Sequence, residues 1–221
     1  MSEVADVSVD LIITSPPYNI GTAYGSNNDT LSLAEYQATL EKVFAECARV
    51  LKTDGILVLE CADSILSNGV YIQLAAYVQS LCLKQGLKVK ERHFNFLNTQ
   101  EGVELPENEK WNGDYQTTVN NHSNLHQLIV FSKDPSTVFN PEGKTLYVKY
   151  VAEQGHPCPI PEALRSFLLD RYFKTGMSVA DPFMGTGMTG VDVVRRGGTF
   201  VGYELDPAMF AVARGNFEKL A

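Results

Sequence analysis

The chain is 221 residues long, 44% hydrophobic, with a formal net charge of −8. That suffices for one well-filled core, and no polar spacer interrupts it, so one domain over 1–221 is expected. No apolar run reaches the ~18 residues that span a bilayer, the acidic start Met1 to Asp10 is no secretory leader, and the shortage of Lys and Arg excludes a broadly basic nucleic-acid surface.

In chain order, Val9 to Thr14 is a short apolar run closed by Pro16-Pro17, which cannot donate to a ladder and turns the chain out of a sheet. It predicts a buried strand with a loop at its tip. Leu33 to Leu51 carries Leu33, Tyr36, Leu40, Val43, Phe44, Cys47, Val50 and Leu51 at helical spacing, with Ser32 as N-cap and Gly55 ending the turn that follows. Ile56 to Cys61 is a second strand, Val70 to Gln85 a helix stopped by Gly86, Leu87 to Leu97 a third strand and Leu125 to Phe131 a fourth. Pro159-Ile160-Pro161 opens a helix through Phe173, with Gly176 past its end. Met177 to Ala180 is a strand delivering Asp181, and Thr189 to Arg196 is a helix stopped by Gly197-Gly198. Thr199 to Tyr203 is a strand ending at Glu204, and Pro207 to Leu220 is the last helix. The alternation predicts a three-layer α/β fold with a mostly parallel sheet.

Cys47, Cys61, Cys82 and Cys158 form no CxxC pair and sit among apolar neighbours, which reads as reduced core thiols. His122 and His126 are four apart, but no Glu or Cys completes a ligand set, so no metal is expected. Candidates for phosphate contact are Lys84, Lys88, Lys90, Arg92 and His93, then Lys144 and Lys149, then Arg195 and Arg196; each group reads more readily as a solvated face than as a DNA groove.

Two loops carry the chemistry. Gly185, Gly187 and Gly190 lie between a strand and a helix, where small residues let backbone approach a ligand, and Glu204 ends the next strand, placed to accept from ribose hydroxyls. That unit serves several nucleotide-binding folds. Here the spacing is not GxGxxG, and Asp181 occupies the turn itself. A carboxylate there repels a pyrophosphate but suits the sulfonium and ammonium of S-adenosylmethionine. At the other end, an exocyclic amine on cytosine or adenine has its lone pair delocalised into the ring, so its methylation needs acceptors that draw it toward tetrahedral geometry. Ser15 Oγ and the Pro16 carbonyl, fixed by two locked rings, suit that task, and Tyr18 suits stacking on a base extruded from a duplex. Alone, Ser15 to Tyr18 reads equally as a proline-rich turn.

With those residues in place, the chain resembles the amino-group-methylating DNA methyltransferases, the family that makes N4-methylcytosine or N6-methyladenine in DNA methylation and restriction-modification. The family's Asp/Asn/Ser-Pro-Pro-Tyr/Phe tetrad is matched by Ser15, Pro16, Pro17 and Tyr18, which the resemblance makes catalytic. Its D-P-F-x-G-x-G-x-T is matched from Asp181 to Thr189, implying that Asp181, Phe183, Gly185, Thr186 and Gly187 hold S-adenosylmethionine, with Glu204 as the acid after the next strand. His156, Pro157 and Pro161 fit its H-P-x-x-x-P, which adds His156 to the cofactor side. Arg49-Val50-Leu51-Lys52 and Leu128 to Lys133 also resemble family strings, so the likeness covers nearly the whole chain.

The resemblance implies a Rossmann-like class I methyltransferase fold. The tetrad precedes the cofactor loop, the permuted order of the β group, whose members are often homodimers. An intracellular protein, cytoplasmic in a bacterium or archaeon, follows, with DNA as partner, its target base flipped out, and no membrane.

Two departures stand out. The β group usually begins with a strand ending in an acid, and this chain starts too late to contain it, so one edge strand is expected to be missing, through truncation or because a partner supplies it. The interval 134–155, where the group puts target recognition, is short, so base readout is expected to lean also on 98–124, with Trp111, Asn112, Tyr115, Asn120 and Asn121. Ser15 leans toward N4 of cytosine over N6 of adenine. An RNA or protein-glutamine methyltransferase, or a subunit needing a partner chain, remains open on the same residues.

Overall fold

Leu11, Ile12 and Ile13 are all fully buried although successive residues of a strand face opposite ways, because helices cover both faces of the sheet. The computed structural model describes residues 1–24, 27–98, 118–119, 122–149 and 159–220. Its elements run β1 Val9–Thr14, β2 Ala23–Tyr24, β3 Asn27–Asn28, α1 Leu33–Val50, β4 Leu51–Ala62, β5 Ile65–Ser67, β6 Val70–Ile72, α2 Leu74–Lys84 and β7 Lys88–Asn98. Then follow β8 Thr118–Val119, β9 His122–Ser123, β10 Leu125–Ser132, β11 Thr145–Lys149, α3 Glu162–Tyr172, β12 Ser178–Asp181, α4 Met188–Arg195, β13 Thr199–Gly202 and α5 Pro207–Glu218.

The central sheet has the order β11-β7-β10-β4-β1-β12-β13, and β10 alone runs antiparallel to the rest. On one face Ile12, Leu57, Leu59 and Ile129 pack with α1 and α2 through Leu40, Phe44 and Val78. On the other, Leu11, Ile13, Val58 and Leu128 pack with α3 and α4 through Leu164, Leu168 and Val193. This is the expected three-layer α/β arrangement. The crossover through α1 carries the chain from β1 to β4 on one side, while α4 carries it from β12 to β13 on the other. The winding therefore reverses between β1 and β12, and the crevice at their carboxyl ends is where such sheets place ligands.

Several expectations need correction. Ser32 caps α1 with a full capping box to Glu35, but Gly55 does not end a turn: it lies inside β4, where the register against β1 jumps from Val9↔Leu51 to Leu11↔Ile56. A Cβ there would come within 2.8 Å of the Leu51 side chain, so the bulge needs glycine. The helix expected from Val70 starts at Leu74, because Asn68 and Gly69, both at positive φ, turn β5 back into β6. Part of 134–155 is sheet: β11 lies parallel to β7.

The basic candidates are divided between the two edges of the sheet: Lys149 ends β11 level with Asn98 of β7, at the crevice edge. Lys88 opens β7 at the opposite edge, roughly 30 Å from Asn98 at its other end. Lys84 pairs with Glu41 and Arg196 with Asp170, while His93 is fully buried. The expected edge vacancy is present: among the described residues β13 has no outer neighbour, and a groove of about 370 Å³ under α5 runs beside it, lined by Phe200, Phe210, Ala213 and Phe217. Cys47, Cys61 and Cys82 are buried and unpaired; Cys158 lies outside the described residues.

Candidate active site

Thr14 ends β1 and Asp181 ends β12, and the Thr14 hydroxyl donates to Asp181 Oδ1 at 2.8 Å with both residues buried. This bond joins the two loops singled out in the sequence across the reversal point of the sheet.

Beyond Thr14 the tetrad is held by distant side chains. The Pro17 carbonyl accepts from Tyr36 Oη of α1 at 2.8 Å, while among the described residues neither Ser15 Oγ nor the Pro16 carbonyl has a hydrogen-bond partner. Tyr18 folds down into the core, 6% exposed, its hydroxyl oxygen accepting from Ala62 N–H at 3.0 Å and standing 3.4 Å from His126 Nδ1. His126 Nδ1 in turn lies 2.5 Å from Glu60 Oε1. The ring face expected to take a base is thus largely covered in this state.

Asn19, at φ +56° and 1% exposed, is the latch. Its amide donates to the Leu31 carbonyl at 2.8 Å and to Ser67 Oγ at 3.0 Å, accepts from Leu31 N–H at 2.7 Å, and its carbonyl accepts from Ser67 Oγ at 2.6 Å. Asn tolerates the left-handed region better than other non-glycine residues, so one side chain both permits the turn and ties it to β5 and to Leu31, just before α1.

The glycine loop is held locally. Gly185 and Gly187 take φ of +53° and +74°, Gly187 N–H donates back to the Met184 carbonyl at 2.9 Å, and Gly187 caps α4. A Cβ on Gly190 would lie 2.3 Å from the Phe200 ring, so glycine lets α4 press against β13. Glu204 Oε2 accepts from Gly185 N–H at 3.0 Å and Oε1 from Asp206 N–H at 2.8 Å. Asp206 caps α5, and Asn216 from that helix donates to the Thr186 carbonyl at 2.9 Å. Phe183 is half-buried, its N–H donating to Asp181 Oδ1 at 2.9 Å.

The structure thus brings Ser15, Pro16, Pro17 and Tyr18 beside Asp181, Phe183, Gly185, Thr186, Gly187 and Glu204; His156 lies outside the described residues. Thr14, Asn19, Tyr36, Glu60 and Asn216 were not singled out, and His126 was weighed only as a metal ligand. The Asn between the tetrad and Ile20 was the one signal available for the latch. Burial pushes the Asp181 carboxyl up to about 7, against the bonds from Phe183 and Thr14 and with some help from Glu204. Among the described residues no Lys or Arg pairs with it.

Residues 9–214 match the DNA methylase family of N6 and N4 type, and the chain belongs to that family. It is 25% identical over 220 residues to "DNA adenine methyltransferase YhdJ" of Escherichia coli K12, covering 93% of this chain and 75% of that protein. With the "Type II methyltransferase M.HpaI" of Haemophilus parainfluenzae it is 26% identical over 207 residues, covering 85% of this chain but 61% of the relative. In fold it is similar to TTHA0409 of Thermus thermophilus, described as a DNA modification methylase and solved with S-adenosyl-L-methionine. That match has a TM-score of 0.70 at 20% identity, over 99% of this chain and 88% of that one. The cytosine-N4-specific PvuII DNA methyltransferase matches with a TM-score of 0.69 at 19% identity, over 98% and 82%. The fold is the Rossmann-like one of these methyltransferases.

Proposed function

We propose that this member of the DNA methylase family transfers a methyl group from S-adenosylmethionine to an exocyclic amine of a flipped DNA base, N4 of cytosine ahead of N6 of adenine. The observation that carries the reading is the Thr14–Asp181 bond, which sets an amine-accepting tip and a cofactor loop side by side at the reversal of the sheet.

The residues present fit that cofactor. Asp181 is a buried carboxylate with no described cation to offset it, which a sulfonium or ammonium would supply. Glu204 uses one acceptor position on each oxygen for backbone N–H groups and keeps others for ribose hydroxyls. When bound, S-adenosylmethionine supplies a methyl carbon made electrophilic by the positive sulfur. Ser15 Oγ and the Pro16 carbonyl accept the two N–H bonds of the target amine and localise its lone pair as nitrogen becomes tetrahedral. One of those protons stays hydrogen-bonded there until it leaves to solvent. Tyr18 meets the base plane only when the incoming base takes the place of what covers its ring, and Asn19 with Tyr36 keeps the tip rigid.

DNA approaches the edge that carries both loops. The described ends that flank 99–117 and 150–158, namely Asn98, Lys149 and the start of α3, all lie at that edge, which supports 98–124 and the end of 134–155 as target-contacting segments. The adenine reading keeps a place because a relative at 25% identity is named an adenine enzyme. Mass spectrometry of nucleosides from unmethylated DNA treated with the protein and labelled cofactor tests both: N4-methylcytosine is expected, N6-methyladenine shifts the base, and neither sinks the reading.

A further inference from the structure

Three strands contribute one buried polar group each to a point beneath the tetrad. Glu60 and Ala62 lie near the end of β4, and His126 near the start of β10, opposite Ala62 in register; Tyr18 reaches over both from the tip of β1. Glu60 is 4% and His126 3% exposed. Neighbouring positions on the same sheet face hold Val58, Leu128 and Val130, so an apolar pair would pack here without the desolvation cost that a buried carboxylate and imidazole carry. The polar pair therefore needs a reason beyond stability, and its contacts supply one.

The 2.5 Å contact joins His126 Nδ1 to Glu60 Oε1, which orients the imidazole against the carboxyl group. His126 Nδ1 also stands 3.4 Å from the Tyr18 oxygen, which accepts from Ala62 N–H at 3.0 Å. The phenolic oxygen thus sits between the Ala62 amide and the imidazole, which meets the Tyr18 ring edge-on, with centroids 6.1 Å apart and planes at 61°. A separation of 3.4 Å is long for proton transfer but adequate for orientation.

We infer that Glu60 and His126 are positioning residues for methyl transfer: Glu60 fixes the His126 ring, His126 with Ala62 N–H fixes the Tyr18 hydroxyl, and Tyr18 thereby holds the base at the distance and tilt that Ser15 and Pro16 require. The inference rests on the proposed amine methylation. Misplacing a reacting group by 1 Å costs about 100-fold in rate, so loss of the anchor is expected in turnover and not in cofactor binding.

The test is a double-mutant cycle on the full chain, with kcat, the KM for DNA and calorimetric S-adenosylmethionine affinity measured on each protein. His126→Leu and Tyr18→Phe should each lower kcat by the same modest factor, roughly 5- to 10-fold because the family also places Phe at this position, with cofactor affinity within about twofold, and the double variant should be no worse than either single one. His126→Asn, whose amide nitrogen stands where Nδ1 stood, should recover to within about twofold of the parent. Losses that multiply in the double variant, or an Asn variant no better than Leu, overturn the inference. Should His126→Leu fail to fold, Glu60→Leu takes its place with the same expectation. A parent chain that methylates no DNA sinks the functional reading alone. The pair is then judged by the ζ-carbon NMR resonance of Tyr18, which should move in His126→Leu and return in His126→Asn; a resonance that stays put overturns the positioning role.

Discussion

The two halves of the site are held in place by different means. The glycine loop takes its shape from residues near it in the chain: positive φ at Gly185 and Gly187, a turn bond to Met184, and an acid 19 residues on that collects the Gly185 amide. The tetrad takes its shape from residues far away. Tyr36, Ala62, Ser67 and His126 lie 19, 44, 48 and 108 positions from their partners. A donor loop that meets one cofactor needs a generic cradle, whereas an acceptor loop must set a planar base against two oxygens. The second task requires support from several strands.

That contrast breaks most sharply at Ser15. Ser15→Ala should lower turnover by about 100- to 1,000-fold, the scale of losing one stabilising group in the transition state, with cofactor affinity unmoved. Equal loss of both in a methyl-transfer assay beside calorimetry removes Ser15 from its role. Glu204→Ala should do the reverse, weakening S-adenosylmethionine by about 10- to 100-fold for the loss of charge-assisted bonds, while turnover at saturating cofactor stays near the parent.

Asp181 gives a pH test of the donor half. Its folded pKa of about 7 means that the carboxylate forms as pH rises through neutrality, so a cationic cofactor should bind roughly tenfold more tightly at pH 8 than at pH 6, and Asp181→Asn should flatten that slope. Without cofactor the sign is opposite for stability. The folded state holds a proton that the unfolded chain releases near its ordinary pKa of 3.8, so stability falls from about pH 4 to about pH 7 and is level above it. The smallest effect belongs to the latch. Asn19→Gly keeps the left-handed turn and loses the side-chain bonds, which should cost about 1–2 kcal/mol, a Tm fall of a few degrees, and turnover without cofactor affinity. Unchanged turnover would confine Asn19 to folding.

The same division decides what was legible beforehand. Strand, glycine, helix and acid lie in a single stretch, so the donor half was readable from Met177 to Glu204 with its chemistry. At the tetrad Ser15 to Tyr18 were readable as acceptors and aromatic, but not their supports, because the pairing of Ala62 with His126 exists only once β4 and β10 are aligned. Local signals were also passed over. Asn68-Gly69 between Ile65 and Ile72 is a hairpin signature, and the helical reading of Val70 ignored three residues, Val70, Tyr71 and Ile72, that favour strand. Gly55 reads as a turn in sequence because a bulge inside a strand leaves no mark but the glycine itself. The basic residues divide between the two edges for a plainer reason: sequence proximity does not say which edge of a sheet a residue occupies, and Lys149 reaches the crevice edge while Lys88 opens β7 at the other.

The order of the strands also sets a schedule. β1 pairs with β12, and Thr14 meets Asp181 across 167 positions, so the seam at the reversal of the sheet joins two strands far apart in the chain. At ordinary rates of synthesis, roughly 5–20 residues per second, β1 is exposed for about 10–30 s before its partner exists. In that time β4 covers only its other edge, so the edge that awaits β12 stays open to pairing with another chain until the cofactor half arrives.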